Sequence, residues 1–207
     1  MAAVWRSRHW VCSLAPNITQ QNFDRFAGNL SLLRAGHNDM PEQFLYFAYG
    51  SNMSTRRLRA RTPSAQPLGT ARLPGYRLAW HKLGRDGSAK CDIEPTGQAQ
   101  DSVWGVLFQI VEEERADLDL AEGLGQGYGY KIASVLAATG SIKAGMYYAT
   151  HIDASRQPFD WYLAFVLSGA REHGLPATYL HDLQTITAAI DPDVTRRQQN
   201  FAILQNG

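Results

Sequence analysis

The sequence predicts an α+β domain in which a mixed, barrel-like sheet carries helices packed against it. Three observations lead there. Short apolar runs separated by Gly, Pro, Asp and Ser recur from residue 43 onward, which is how strands and their turns read. Apolar residues at helical spacing are confined to one stretch in mid-chain and two near the end. The chain has 207 residues, 44% of them hydrophobic and 19% charged, enough apolar mass for one packed core and too much for a disordered chain.

The elements follow in order. Residues 1–39 scatter Trp5, Trp10, Phe23 and Phe26 among polar neighbours without a sustained period, so they read as an N-terminal extension, and the domain begins near Met40. Arg6 and Arg8 precede a short apolar patch that Ser13 and Pro16 interrupt; with no cleavage signal it does not make a secretory leader. Residues 44–49 form an apolar, aromatic strand stopped by Gly50. Ser54 is placed to cap a short helix over 55–60, which Thr62 and Pro63 end. Strands are expected over 68–73, 77–80, 90–94 and 103–110. The run 112–122 opens on three glutamates, as the helix dipole prefers, and Gly123 follows as its left-handed stop. Two more strands, 130–137 and 143–149, join around Gly140. Trp161, Phe165, Ser168 and Gly169 recur at helical spacing until Gly174 and Pro176. Tyr179, Leu183 and Ile186 mark a last helix. The folded domain is thus expected over 40–190, with 191–207 as a C-terminal tail.

Composition also excludes partners. Twenty basic and nineteen acidic residues leave a net charge of +1, which gives neither nucleic acid nor an anionic membrane surface a reason to bind. No apolar run approaches the roughly 20 residues of a membrane span. Cys12 and Cys91 are too few and too far apart for a disulfide framework, which suits a reducing cytoplasm. The six histidines have no metal-ligand spacing and read as surface residues, so no metal is expected.

Two segments carry chemistry. In Tyr46-Phe47-Ala48-Tyr49-Gly50-Ser51-Asn52-Met53 a strand runs directly into Gly-Ser-Asn and then a helix. Gly50 permits a sharp turn and a close approach, and the free N–H groups at a helix start suit a carboxylate or an oxyanion. The second segment, Glu122-Gly123-Leu124-Gly125-Gln126-Gly127-Tyr128-Gly129-Tyr130, places four alternate glycines after a glutamate. At the negative pole of its helix Glu122 would find ionisation disfavoured, which suits a proton acceptor. Either segment alone also reads as an ordinary turn or a solvated glutamate.

Together they resemble the γ-glutamylcyclotransferase family. The stretch from Tyr46 to Asn52 looks like that family's loop signature, and the supporting matches keep its order. They are Arg61-Thr62-Pro63, then Ala71 to Leu78, Val103-Trp104-Gly105-Val106, Leu118 with Glu122-Gly123, and Gly169 to Pro176. The last resembles members acting on γ-glutamyl amino acids. The resemblance implies a partly closed barrel with helices against it and a catalytic acid at Glu122. It implies substrate binding by Tyr46, Phe47, Ala48, Tyr49, Gly50, Ser51 and Asn52. A tyrosine in a late strand matches Tyr147, with Thr150 three positions on. Where the family often has an aromatic, this chain has Gly129 between Tyr128 and Tyr130; Tyr128 is taken as the substrate contact, with Tyr130 the alternative.

The implied reaction releases 5-oxoproline and a free amine from a small γ-glutamyl substrate, with no cofactor, in a cytoplasmic protein that could form a homodimer. Two other readings stand beside it. Ser51 could be the nucleophile of an acyl transfer or amide hydrolysis, although its flanks are not Gly-x-Ser-x-Gly and no His/Asp partners can be named. The fold could also serve as a non-catalytic small-molecule-binding module, for which loss of the acid at Glu122 would be the simplest sign.

Overall fold

The computed structural model describes residues 41–205; the extension expected over 1–39 lies outside them. Twelve named elements follow in chain order. They are β1 (Gln43–Ala48), α1 (Thr55–Arg59), β2 (Gln66–Pro74), β3 (Tyr76–Leu83), β4 (Ala89–Pro95) and β5 (Ser102–Val111). Then come α2 (Arg115–Glu122), β6 (Tyr128–Ala137), β7 (Gly140–Ala149), α3 (Asp160–Glu172), α4 (Ala177–Gln184) and α5 (Val194–Gln205).

Five strands close a barrel in the order β1-β5-β2-β6-β7. The neighbours are antiparallel except at the seam, where β1 meets β7 in parallel with Tyr46 opposite Gly145. The mixed barrel of the sequence reading is therefore present, and it is closed rather than partly closed. The apolar run that ends β1 is buried on both faces, Tyr46, Phe47 and Ala48 all losing contact with water, while Gln43 at its start is exposed. Phe47, Phe108 and Phe165 are the largest fully buried side chains, and α3 covers the barrel with Trp161, Tyr162, Phe165 and Val166.

Three expectations are corrected. The strands at 77–80 and 90–94 do not join the barrel; they lengthen into β3 and β4, which form a two-stranded hairpin of their own, with one further bridge from Lys82 to Ile152. The helix marked by Tyr179 and Leu183 is not the last, and Ile186 lies beyond it. The segment read as a tail contains α5, none of whose side chains is fully buried; Phe201, Ile203 and Leu204 pack half-buried against the core, and polar contacts add to them. Arg57 donates to Asn200 at 3.1 Å, and Arg56 to the Ile203 carbonyl at 3.1 Å. Buried Asp191 accepts from Trp161 and is paired with Arg196, which holds its carboxyl down at about 2. His81 and His173 are hydrogen-bonded to Asp92 and Thr55, with ring surfaces largely covered, rather than free at the surface.

Two details of packing position the site. α2 ends at Gly123, whose left-handed backbone (φ 75°) lets its N–H and that of Leu124 return to the Asp119 carbonyl. Glu122 is thereby fixed as the last helical residue. On the other side, a Cβ on Gly169 would lie 2.4 Å from the backbone of Met53 and Ser54, so α3 rests directly on the loop after β1. Among the described residues, no helix is long and apolar enough to cross a membrane.

Candidate active site

β1 delivers the chain to Gly50, a single 3-10 turn follows over Ser51–Met53, and α1 begins after Ser54. Ser54 occupies the N-cap position, but its side chain makes no capping hydrogen bond. This loop meets the end of α2. Asn52 donates through Nδ2 to Glu122 Oε1 at 2.7 Å and to the Tyr46 hydroxyl at 3.2 Å. Arg61, just beyond α1, donates from Nη1 to the same Glu122 oxygen at 2.8 Å and to Asn52 Oδ1 at 3.0 Å. Both donors converge on Oε1, and among the described residues no hydrogen bond reaches Oε2. The Arg61 guanidinium gives Glu122 a charged partner that the sequence reading did not contain.

Glu122 lines a small inner cavity of about 30 Å³ walled by five tyrosines, residues 46, 49, 128, 147 and 162, with Gly50, Ser51, Asn52 and Cys91. It is the one carboxylate in that lining. Burial drives all five phenols well above the ordinary tyrosine range, so they stay neutral and cannot exchange protons near neutrality. Their hydroxyls are committed. Tyr49 donates to the Tyr147 carbonyl at 2.6 Å, Tyr147 to Asp119 Oδ1 at 2.6 Å, and Tyr128 to the Cys91 carbonyl at 2.6 Å. Tyr162 accepts the Cys91 N–H at 3.0 Å. Burial likewise pushes the Cys91 thiol up to about 12, which keeps it out of the thiolate form a nucleophile requires.

Most of the residues singled out from sequence come together here: Tyr46, Tyr49, Gly50, Ser51, Asn52, Glu122, Tyr128 and Tyr147 all line the cavity. Phe47 and Ala48 do not. Phe47 points to the opposite face of β1, against Tyr49 and Gly105, as strand alternation demands. Ala48 is buried in the sheet. Between the two candidate tyrosines, Tyr128 is the one in the lining, while the Tyr130 hydroxyl accepts from Arg115 at 3.1 Å.

Sequence reasoning missed Arg61 as a site residue, and also Cys91, Tyr162 and Asp119. Asp119 lay three positions before Glu122 on the same helix face, and Arg61 stood in a stretch that already resembled the family. Cys91 and Tyr162 arrive from elements distant in sequence.

Outside Glu122 the cavity opens into a larger cleft of about 210 Å³, and Ser51, Glu122, Tyr128 and Tyr162 border both. Its far wall is the β3–β4 hairpin and its turn, facing the glycine-rich loop after α2. No group of three or more His, Cys, Asp or Glu side chains placed to hold a metal ion occurs among the described residues.

This geometry has counterparts among known proteins. A family model described as the AIG2-like family matches residues 102–183. The γ-glutamylcyclotransferase of Homo sapiens is 33% identical over 159 residues, covering 70% of this chain and 79% of that protein. The Bos taurus γ-glutamylcyclotransferase is 34% identical over the same shares. A solved structure of a γ-glutamyl cyclotransferase superposes with a TM-score of 0.70 at 28% identity, covering 80% of this chain and all of that one. The chain belongs to the γ-glutamylcyclotransferase family.

Proposed function

We propose that this protein cyclises a γ-glutamyl amino acid or γ-glutamyl amine to 5-oxoproline and releases the free amine, with Glu122 shuttling the proton. The carrying observation is the single carboxylate in an otherwise neutral tyrosine cavity, with Oε1 tied to Arg61 and Asn52. That arrangement leaves Oε2 as the oxygen that exchanges protons.

The chemistry is intramolecular. The α-ammonium of the glutamyl moiety gives a proton to Glu122, and the freed amine attacks the γ-carbonyl carbon, so one C–N bond forms. The tetrahedral oxyanion then collapses, and the C–N bond to the leaving nitrogen breaks as Glu122 returns its proton there. The ring nitrogen sheds its second proton through the same carboxylate to the departing amine, which leaves as an ammonium. Atoms and charges balance without water, metal or a nucleophilic side chain. The protein supplies a folded-back near-attack conformer, a base and acid in one group, and N–H donors of the Gly50–Asn52 loop for the oxyanion. A cytoplasmic setting is consistent with this small-molecule role.

The serine alternative is disfavoured by what surrounds Ser51. Its Oγ accepts from Arg57 Nε at 3.2 Å, and among the described residues no histidine or carboxylate is hydrogen-bonded to it, so no base is placed to activate it.

The test is release of 5-oxoproline across a panel of γ-glutamyl compounds by wild type and Glu122→Gln. The variant keeps the shape and loses the proton acceptor, so turnover should fall about a hundredfold to ten-thousandfold while the thermal midpoint shows a folded protein. Hydroxylamine should divert no product into a hydroxamate. Near wild-type release by folded Glu122→Gln, or a hydroxamate, overturns the mechanism.

A further inference from the structure

The outer cleft is cationic in a way that cyclisation at Glu122 does not use. Five cationic side chains line it, Arg57, Arg61, Lys82, Arg85 and Lys90, against the two carboxylates Asp86 and Glu122. Three of the five are accounted for. Arg61 is paired with Glu122 at 2.8 Å and Lys90 with Asp86 at 2.7 Å. Arg57 donates to Ser51 and Asn200 and stacks on Phe165 at 4.4 Å.

Lys82 is different. It sits on β3 and is only 5% exposed, yet among the described residues no carboxylate lies within ion-pair distance of it. Its ammonium lies 4.5 Å from the Tyr128 ring centre, at the border between the inner cavity and the cleft. Burial lowers its pKa, and the strongest charge acting against that is Glu122. The chain opposite makes room for it: Gly127 has φ +124°, and a Cβ there would stand 3.2 Å from the Lys82 nitrogen. A buried cation without a counter-ion is costly, and a structure that clears space for one and turns it toward a cavity has an anion to receive. Arg85, exposed on the turn that follows, is held over the same loop by Gln126 at 2.6 Å. That partner is neutral, so the guanidinium charge stays uncompensated.

We infer that Lys82, backed by Arg85, is a carboxylate-binding subsite for the leaving half of the substrate, selecting leaving amines that carry a carboxylate over simple amines. The inference rests on the cyclotransferase reading. With the scissile carbonyl at Glu122 and the glutamyl head among the tyrosines, the leaving amine extends into the cleft that Lys82 borders. A carboxylate on it there completes the ion pair that the protein leaves open, with the strength of a charge-assisted hydrogen bond.

The experiment compares a matched pair, γ-glutamyl-alanine and its C-terminal carboxamide, which differ by one negative charge. Wild type should favour the carboxylate by about tenfold to a hundredfold in kcat/KM, the range of a hydrogen bond to a charged group, chiefly through KM. Lys82→Met keeps the apolar stem, and the preference should collapse to within about threefold. Arg85→Gln, an exposed change that removes no buried group, should reduce it by a smaller factor. Raised salt should erode the wild-type preference. Equal use of both substrates by wild type overturns the subsite and leaves the cyclotransferase reading standing, as does a preference that survives in folded Lys82→Met. Absence of 5-oxoproline with both substrates overturns the cyclotransferase reading and the subsite with it.

Discussion

The inner cavity and the outer cleft share Glu122 and are otherwise opposites. The inner walls are five buried phenols with raised pKa values, each fixed by a neighbour and each neutral at any pH the protein meets. The outer walls carry ammonium and guanidinium groups, three of them on the β3–β4 hairpin and two, Arg57 and Arg61, on and just after α1. The inner half is walled by barrel strands together with α2, α3 and β4. The outer half depends on a hairpin turn whose own ion pairs, such as Lys90 with Asp86, hold its shape. On the proposed function and subsite, the difference separates two tasks: a neutral enclosure for the chemistry, and a charged rim for choosing what the chemistry is done to.

The sharpest way to break this division is at its border. Arg61 fixes both Glu122 and Asn52, so Arg61→Met should lower kcat about a hundredfold through misplacement of the acid and change KM much less. Arg61→Lys should recover part of the loss. A change confined to KM would move Arg61 to the rim.

Alkaline pH probes the inner half. Below pH 10 the tyrosines are protonated in both folded and unfolded chains; above it only the unfolded chain ionises them. Stability should therefore fall above about pH 10, by up to about 1.4 kcal/mol per buried tyrosine for each further pH unit. Tyrosinate absorbance should appear together with loss of structure, not before it. Early ionisation of these rings in the folded protein would show that the inner walls are open to water.

The rim answers at lower pH. Burial depresses Lys90 to about 8 against Asp86, which pulls the other way. Between pH 8 and about 10.4, the ordinary lysine value, the unfolded chain holds a proton that the folded chain has released, so Lys90 makes stability rise with pH. The thermal midpoint should climb by a few degrees from pH 8 until the tyrosines reverse it, and Lys90→Met should flatten the climb. The smallest effect is expected from Tyr130→Phe, which loses one hydrogen bond from Arg115. It should change kcat/KM less than twofold and cost about 1 kcal/mol of stability. A tenfold activity loss would return Tyr130 to the list of substrate contacts.

Much of this molecule was legible in its sequence, and what was not has physical causes. All seven strands and the helix ending at Gly123 announce themselves through turn residues and apolar runs, because those signals are local. The separation of β3 and β4 from the barrel does not, since an apolar run names no partner strand. α5 escaped because its apolar side chains Phe201, Ile203 and Leu204 are only half-buried and cluster in its last turn, so its apolar face is too short to read as a stripe; Arg56, Arg57 and Asn200 supply much of its anchoring. At the site, the loop and Glu122 stood out as motifs, whereas Arg61, Tyr162 and Cys91 converge from three separate elements. Tyr128 and Tyr130 could not be told apart because, two positions apart on one strand, they share a face. Only their depth along β6 separates them.

The parallel seam between β1 and β7 has a kinetic consequence. Tyr46, on the strand that leads into the catalytic loop, closes the barrel against Gly145, roughly a hundred residues away. Contacts that distant are reached late and slowly, because the loop entropy is lost before the contact rewards it. The strand that carries the active loop is thus made early in synthesis and waits for β7 before its wall of the cavity exists. Catalytic competence and completion of the barrel become one event, and a chain stalled short of β7 holds every residue of its loop signature without having a site.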